Sequence, residues 1–130
     1  YDNKYFLMQR KATASEQRLA SKYSFGIGGH IRKEDMQGNS FFDWALREFY
    51  EEVAYKGTIN PTPLGILNDD STDVGKVHIG FVVLLTGNSA DISIKSELKS
   101  GKLLTLQECE PYYNTMETWS QMIFNILKNN

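Results

Sequence analysis

Cysteine is almost absent from this chain. Cys109 stands alone among 130 residues, so no internal disulfide framework can staple the fold, and a single thiol fits a reducing, cytoplasmic setting. Long apolar runs are missing too. The longest, Ile79 to Leu85, falls far short of the roughly 20 residues a membrane helix needs, so no membrane partner is expected. Nor is there an excess of positive charge. Lys and Arg number 14 against 16 Asp and Glu, a formal net charge of −2. That balance argues against a nucleic-acid polymer, whose phosphates call for clustered cations, while small anionic ligands remain compatible. Repeats and low-complexity linkers are absent, which excludes collagen-like and disordered classes. The chain opens at Tyr1 without Met or an apolar leader. It either never had a signal or was trimmed at the N-terminus, and its start decides nothing.

What is present reads as one domain over residues 1–130, long enough to bury a sizeable core. Lys4 to Gln9 reads as a strand, and the polar stretch to Lys22 as a loop with a helical turn. Tyr23 to Ile31 is extended and carries Gly26, Gly28 and Gly29. From Ser40 to about Tyr55, Phe42, Leu46, Phe49 and Val53 recur at helical spacing behind a Ser40/Asp43 capping signature. "TINPTPLGIL" resumes extended chain, with Pro61 and Pro63 tolerated only at an edge or a bulge. "NDDSTDVG" is a turn, "KVHIGFVVLLTG" the strongest strand, and Ile92–Ile94 and Leu103–Leu106 short strands. Asn114 to Lys128 reads as a C-terminal helix with Trp119 in its core. Strands before, between and after two helices imply an α+β fold in which helices flank a mixed sheet.

On the central helix Phe42, Ala45, Leu46, Phe49 and Val53 form one stripe, and Glu48, Glu51 and Glu52 cluster on an arc beside it. Like charges at i, i+3 and i+4 cost on the order of 0.2–0.5 kcal/mol per pair on an exposed helix. Arg47 reaches Glu51 at i+4 but leaves most of that charge uncompensated. Either the arc is a solvated acidic face, or a hard divalent cation such as Mg²⁺ or Mn²⁺ offsets it.

Gly29, Arg47, Glu48, Phe49, Glu51 and Glu52 resemble the signature of the Nudix hydrolases, G-x5-E-x7-R-E-U-x-E-E-x-G-U, in which U is a bulky apolar residue. "REFYEE" matches the core position by position. The spacing before it is four residues longer, so Arg32 to Asn39 is expected to bulge at the surface. Counting forward from Gly29 puts the first glutamate of the signature at Asp35, and counting back from Arg47 puts it at Asn39. Ala54 replaces the closing glycine, which lets the helix run on towards Gly57.

The resemblance covers nearly the whole chain and implies a Nudix-type α/β/α sandwich. It also implies a metal-dependent hydrolase that cleaves the diphosphate bond of a nucleoside diphosphate linked to another moiety. On that reading Glu48, Glu51 and Glu52 are metal ligands together with the Gly28 carbonyl. Glu52 is the residue that bridges cations and orients or deprotonates the water, and Arg47 orients a helix glutamate. A late carboxylate, Glu97 in preference to Glu108, completes the set.

Around this helix Arg10, Lys11 and Arg18 either hold phosphate oxygens or are solvated. His30 touches a phosphate or satisfies the glycine turn. His78, placed mid-strand between Val77 and Ile79 on the opposite face, lines the substrate cleft or packs in the sheet. Phe41, Trp44 and Tyr55 fall near the glutamate arc, where one could stack on a base, although core packing is the commoner fate of such rings. The expected partner is a small nucleoside diphosphate derivative, and nothing excludes a homodimer. Two rival readings stay open: a catalytically silent domain of the same fold that senses a nucleotide or binds a protein, and isomerisation of an isoprenoid diphosphate. The latter would want a cysteine at the reacting carbon.

Overall fold

Leu7 and Met8, adjacent in the first strand, are both buried, and because successive strand residues face opposite ways they enter two different cores. The computed structural model describes residues 1–12, 20–37, 40 and 42–130, and within them the α+β architecture of sheets and helices is present. Arg18, Asn39, Phe41 and the anticipated helical turn after Lys11 lie outside the described residues.

Strand β1 (Tyr5–Arg10) is the middle of a three-stranded sheet, with β2 (Tyr23–Ser24) on one side and β7 (Leu98–Leu104) on the other, both antiparallel. Met8 faces Ser24 across the first ladder, and Tyr5 faces Leu104 across the second. Strand β3 (Val53–Tyr55) pairs with β6 (Ile92–Ile94), and β4 (Ile59–Leu67) with β5 (Gly80–Gly87), again antiparallel. A parallel bridge joins Tyr23 to Met116. One core face of β1 gathers Leu7, Cys109, Met116 and Phe124, and the other Met8, Val53 and Leu98, with Phe49 and Ile27 packed against them.

Helix α1 spans Asp43–Glu52, shorter at both ends than its apolar pattern suggested. At its start the Ser40/Asp43 exchange is partial. Asp43 Oδ2 lies 3.4 Å from the Ser40 N–H, while the Ser40 hydroxyl accepts from Phe42 N–H at 3.2 Å. At its end the run towards Gly57 does not occur, because Val53 is extended (φ −132°, ψ 137°) and fully buried as the first residue of β3. The Glu52 carbonyl, left open, accepts from Lys95 N–H at 2.9 Å. Sheet pairing of a β-branched residue wins over helix continuation.

Pro61 and Pro63 sit in β4, where the ladder shifts register between Pro63 and Gly65, the bulge that their missing N–H groups require. Within the loop after β4, Thr72 caps a single helical turn, α2 (Asp73–Lys76), by accepting from Gly75 N–H. That turn consumes the start of the expected long strand. His78 therefore precedes β5 and is not a strand residue, and its backbone N–H donates to the Gly75 carbonyl.

Leu103–Leu106 divides differently from its apolar pattern. β7 ends at Leu104, and Thr105 opens the short helix α3 (Leu106–Cys109) with a full capping box to Glu108. A 3-10 helix over Glu110–Thr115 leads to α4 (Thr118–Lys128), so the C-terminal helix starts four residues later than its pattern implied. Trp119 is half-buried, its ring against Gly80.

Cys109 is fully buried, and burial pushes its thiol up to about 11. Native protein at pH 8 should react with an aromatic disulfide reagent at least a hundred-fold more slowly than protein in denaturant, since both the thiolate fraction and access are lost. Comparable rates in the two states would place the thiol at the surface.

Candidate functional site

Helix α1 presents its glutamates unequally. Glu48 is turned inwards with Trp44 one turn before it, each 8% exposed, while Glu51 is exposed and Glu52 half-buried. Glu48 can sit inside because of what faces it. A Cβ built on Gly29 would lie 2.1 Å from Glu48 Cδ, so only a glycine lets the carboxylate occupy that space.

Arg47 ties this helix to the preceding loop. Its Nη1 donates to Glu48 Oε1 at 2.9 Å and reaches Glu51 Oε1 at 3.4 Å. Nε and Nη2 form a fork on Asp35, at 3.1 Å to Oδ1 and 3.0 Å to Oδ2. The Arg47 fork and the Arg32 N–H hold the Asp35 carboxyl below its usual range, and Asp35 in turn raises the proton affinity of the guanidinium. The insertion is thus a 3-10 helix over Lys33–Gln37 whose backbone is at the surface but whose Asp35 points inwards. Asp35, one of the two positions that compete for the first acidic residue, engages Arg47; Asn39, the other, lies outside the described residues.

If the acidic helix serves a diphosphate hydrolase, as the resemblance implies, Asp35→Asn should lower turnover about ten-fold by loosening Arg47, a loss of the size found when a group that orients ligands is removed. Asn39→Ala should have little effect in the same steady-state assay. Equal, undiminished rates in both variants would show that the Asp35 fork does not matter to the site.

Glu52 is the α1 carboxylate whose proton affinity its surroundings raise. Desolvation raises its proton affinity, the Arg10 charge opposes that rise, and Glu97, Glu48 and Glu51 add to it. Glu97 is brought there by the fold. The Lys95 N–H bonded to the Glu52 carbonyl draws the segment after β6 against the end of α1, and the Lys95 ammonium donates to the Tyr50 carbonyl. Glu108, the competing late carboxylate, is occupied in the α3 cap, with Oε2 2.8 Å from the Thr105 N–H.

Among the described residues no group of three or more His, Cys, Asp or Glu is arranged so that it could hold a metal ion. The donors still suit a hard divalent cation. They are all carboxylates, three of them add to the raised proton affinity of Glu52, and Glu48 rests in a glycine cradle.

Other candidates separate clearly. Arg10 faces Glu52, and its Nε is buried without a hydrogen-bond partner among the described residues. His30 and His78 come together, with ring centroids 5.7 Å apart. His78 Nδ1 lies 2.7 Å from the Val74 carbonyl oxygen, so that nitrogen is the one that donates there. Gly28 is exposed beside Gly29, and a Cβ there would meet nothing. Tyr55 bonds Ser89 through its hydroxyl and packs on Gly87, a structural role. Sequence reading missed Ser24, Glu117 and Ser120, which anchor the start of the glycine loop. The signal was Ser120, a polar residue between Met116 and Phe124 on the apolar face of α4.

The fold and site together describe an α+β protein with an acidic, glycine-cradled helix. No family model matches the chain. It is 34% identical over 139 aligned positions to protein YmaB of Bacillus subtilis (strain 168), a match that covers 98% of this chain and 66% of YmaB. Among solved structures it is similar to Tm1382, a candidate Nudix hydrolase, with a TM-score of 0.76 and 29% identity over 98% of this chain and 65% of that one. The chain shares the fold of Tm1382 and spans just under two thirds of the length of either protein. No helix among the described residues is long and apolar enough to cross a membrane.

Proposed function

We propose that this chain is a metal-dependent hydrolase that cleaves the diphosphate bond of a nucleoside diphosphate linked to another moiety. The observation that carries the proposal is the gathering of Glu48, Glu51, Glu52 and Glu97 at one end of α1, with Glu48 buried against Gly29. Similarity to Tm1382 supports it. Glu48, Glu51, Glu52, Glu97 and the Gly28 carbonyl would hold Mg²⁺ or Mn²⁺. Bound there, such ions shield the diphosphate charge and lower the pKa of a water molecule.

The chain's own groups do the rest. Glu52, whose proton affinity is raised by desolvation, takes the proton of the attacking water. Arg47 holds Glu48 and Glu51 in register and is itself fixed by Asp35. Arg10, Arg18, His30 and His78 bind substrate, Arg10 from the side of β1 and the two imidazoles from beyond the glycine loop. The substrate is a small molecule and the setting cytoplasmic. Cys109, the group an isomerase would need at the reacting carbon, is fully buried in the core on the α4 side of β1.

Formation of phosphomonoester products, read as phosphate freed by an added phosphatase, across a panel of nucleoside diphosphate derivatives with and without Mg²⁺ or Mn²⁺ tests the proposal. Turnover that requires the cation supports it. Binding of a derivative without turnover would favour a silent sensing domain.

A further inference from the structure

The glycine loop that cradles Glu48 has little to hold it in place. Gly26 and Gly28 touch nothing that a Cβ would meet, and Ile27 packs against the Met8, Val53 and Leu98 core. The firm attachment lies just before, at residues 23–25, and it is made to α4. The Glu117 N–H donates to the Tyr23 carbonyl at 3.0 Å. Ser24 Oγ lies 2.9 Å from Glu117 Oε1 and 2.5 Å from the Gly26 carbonyl oxygen, and it accepts from the Gly26 N–H at 3.1 Å. Ser120 Oγ accepts from the Phe25 N–H at 3.0 Å and donates to Glu117 Oε1 at 3.1 Å. Ser24 and Ser120 are 2% and 1% exposed. Buried hydroxyls that share one carboxylate oxygen are directional and costly to leave unpaired, so they fix where the loop departs from the sheet.

We propose that Ser24, Glu117 and Ser120 form a brace that positions the glycine loop against Glu48, and through it sets the affinity of the carboxylate site for a divalent cation. The second half of this proposal rests on the metal-dependent reading above. These are positioning residues, remote from the reacting atoms. Their effect runs through backbone, from the hydroxyl of Ser24 to Gly26, and on through Gly28 to Gly29.

Ser120→Ala removes the acceptor for the Phe25 N–H and one donor to Glu117. Glu117→Gln retains an oxygen that accepts from both serines. Phe124→Leu loosens the packing of α4, including the ring stacked on Phe25 at 6.0 Å, while removing none of the brace's hydrogen bonds. Two readouts are needed: the glycine amide resonances in a nitrogen-correlated spectrum of the metal-free protein, and Mg²⁺ affinity by calorimetry. In Ser120→Ala the Gly26, Gly28 and Gly29 amides should shift or broaden, and Mg²⁺ affinity should fall about ten-fold. Glu117→Gln should restore both to within about two-fold of wild type on the same scale.

Unchanged glycine resonances in Ser120→Ala overturn the brace, as does an equal loss in Phe124→Leu, which would make the effect one of general loosening. If Ser120→Ala does not fold, Glu117→Ala against Glu117→Gln makes the same comparison. If wild type binds no Mg²⁺, the metal reading fails on its own, and the glycine resonances still decide whether the brace positions the loop.

Discussion

On the proposed hydrolase reading, Glu52→Gln is expected to lower diphosphate hydrolysis by about a hundred-fold or more, because one carboxylate would both help hold the cation and accept the water's proton. The same substitution should leave the metal-free protein no less stable. It relieves a desolvated charge that Glu97, Glu48 and Glu51 further disfavour, and adjacent like charges cost a few tenths of a kcal/mol per pair.

The pH dependence follows from the same shift. A carboxyl whose folded proton affinity is raised favours the folded state fully below its ordinary value, 4.5. That contribution is lost as pH climbs through the raised value. Metal-free wild type should therefore lose some stability across the window just above 4.5, and Glu52→Gln should lose less. With Mg²⁺ at neutral pH the order reverses. A cation that binds only the folded state adds roughly 1–3 kcal/mol at ten- to hundred-fold saturation, and the glutamine variant should forfeit much of that. Paired thermal melts with and without Mg²⁺, beside a rate assay, measure all three effects. Equal magnesium-induced shifts in both proteins would return the glutamates to the solvated-face reading.

Gly29→Ala should separate stability from function most sharply. The new methyl would meet Glu48 Cδ at 2.1 Å and Oε1 at 2.3 Å, a contact that cannot persist. What lies in the way is the far end of a flexible side chain, so the carboxylate swings aside at modest cost and the fold survives. The displaced Glu48 also leaves Arg47 Nη1, to which it is bound at 2.9 Å. Circular dichroism and melting of the metal-free variant should stay close to wild type, while Mg²⁺ affinity and turnover fall about ten- to a hundred-fold, as when metal ligands lose their orientation. A variant that unfolds would mean the glycine serves the backbone. A variant that turns over normally would mean that Glu48 is not part of the site.

Periodicity and a short motif carried much of this protein into view. The stripe Phe42, Leu46, Phe49 and Val53 marks a helix wherever it is packed, and "REFYEE" places three carboxylates within two turns of it, since both are local consequences of 3.6-residue geometry. Strands β1 and β6 and the proline bulge in β4 were legible from equally local signals, short extended apolar runs and prolines without an N–H for the ladder. The tertiary structure decided what local patterns leave degenerate. Val53 could extend a helix or start a strand, and pairing with Ile94 settled it. His78 left the strand because Thr72 capped a turn that no apolar count detects. The resemblance already prefers Glu97 to Glu108, but the physical grounds are tertiary: Lys95 docks on the end of α1, and Glu108 is taken up by Thr105. Asp35 and Asn39 were indistinguishable by counting residues, because an insertion changes the register of a motif without saying where the chain folds back. Contact between Asp35 and Arg47, twelve residues apart, is a property of the closed loop. Sequence fixes which charges are available and on which face of a helix they stand, whereas their burial, and hence their proton affinity, depends on what packs against them from elsewhere in the chain.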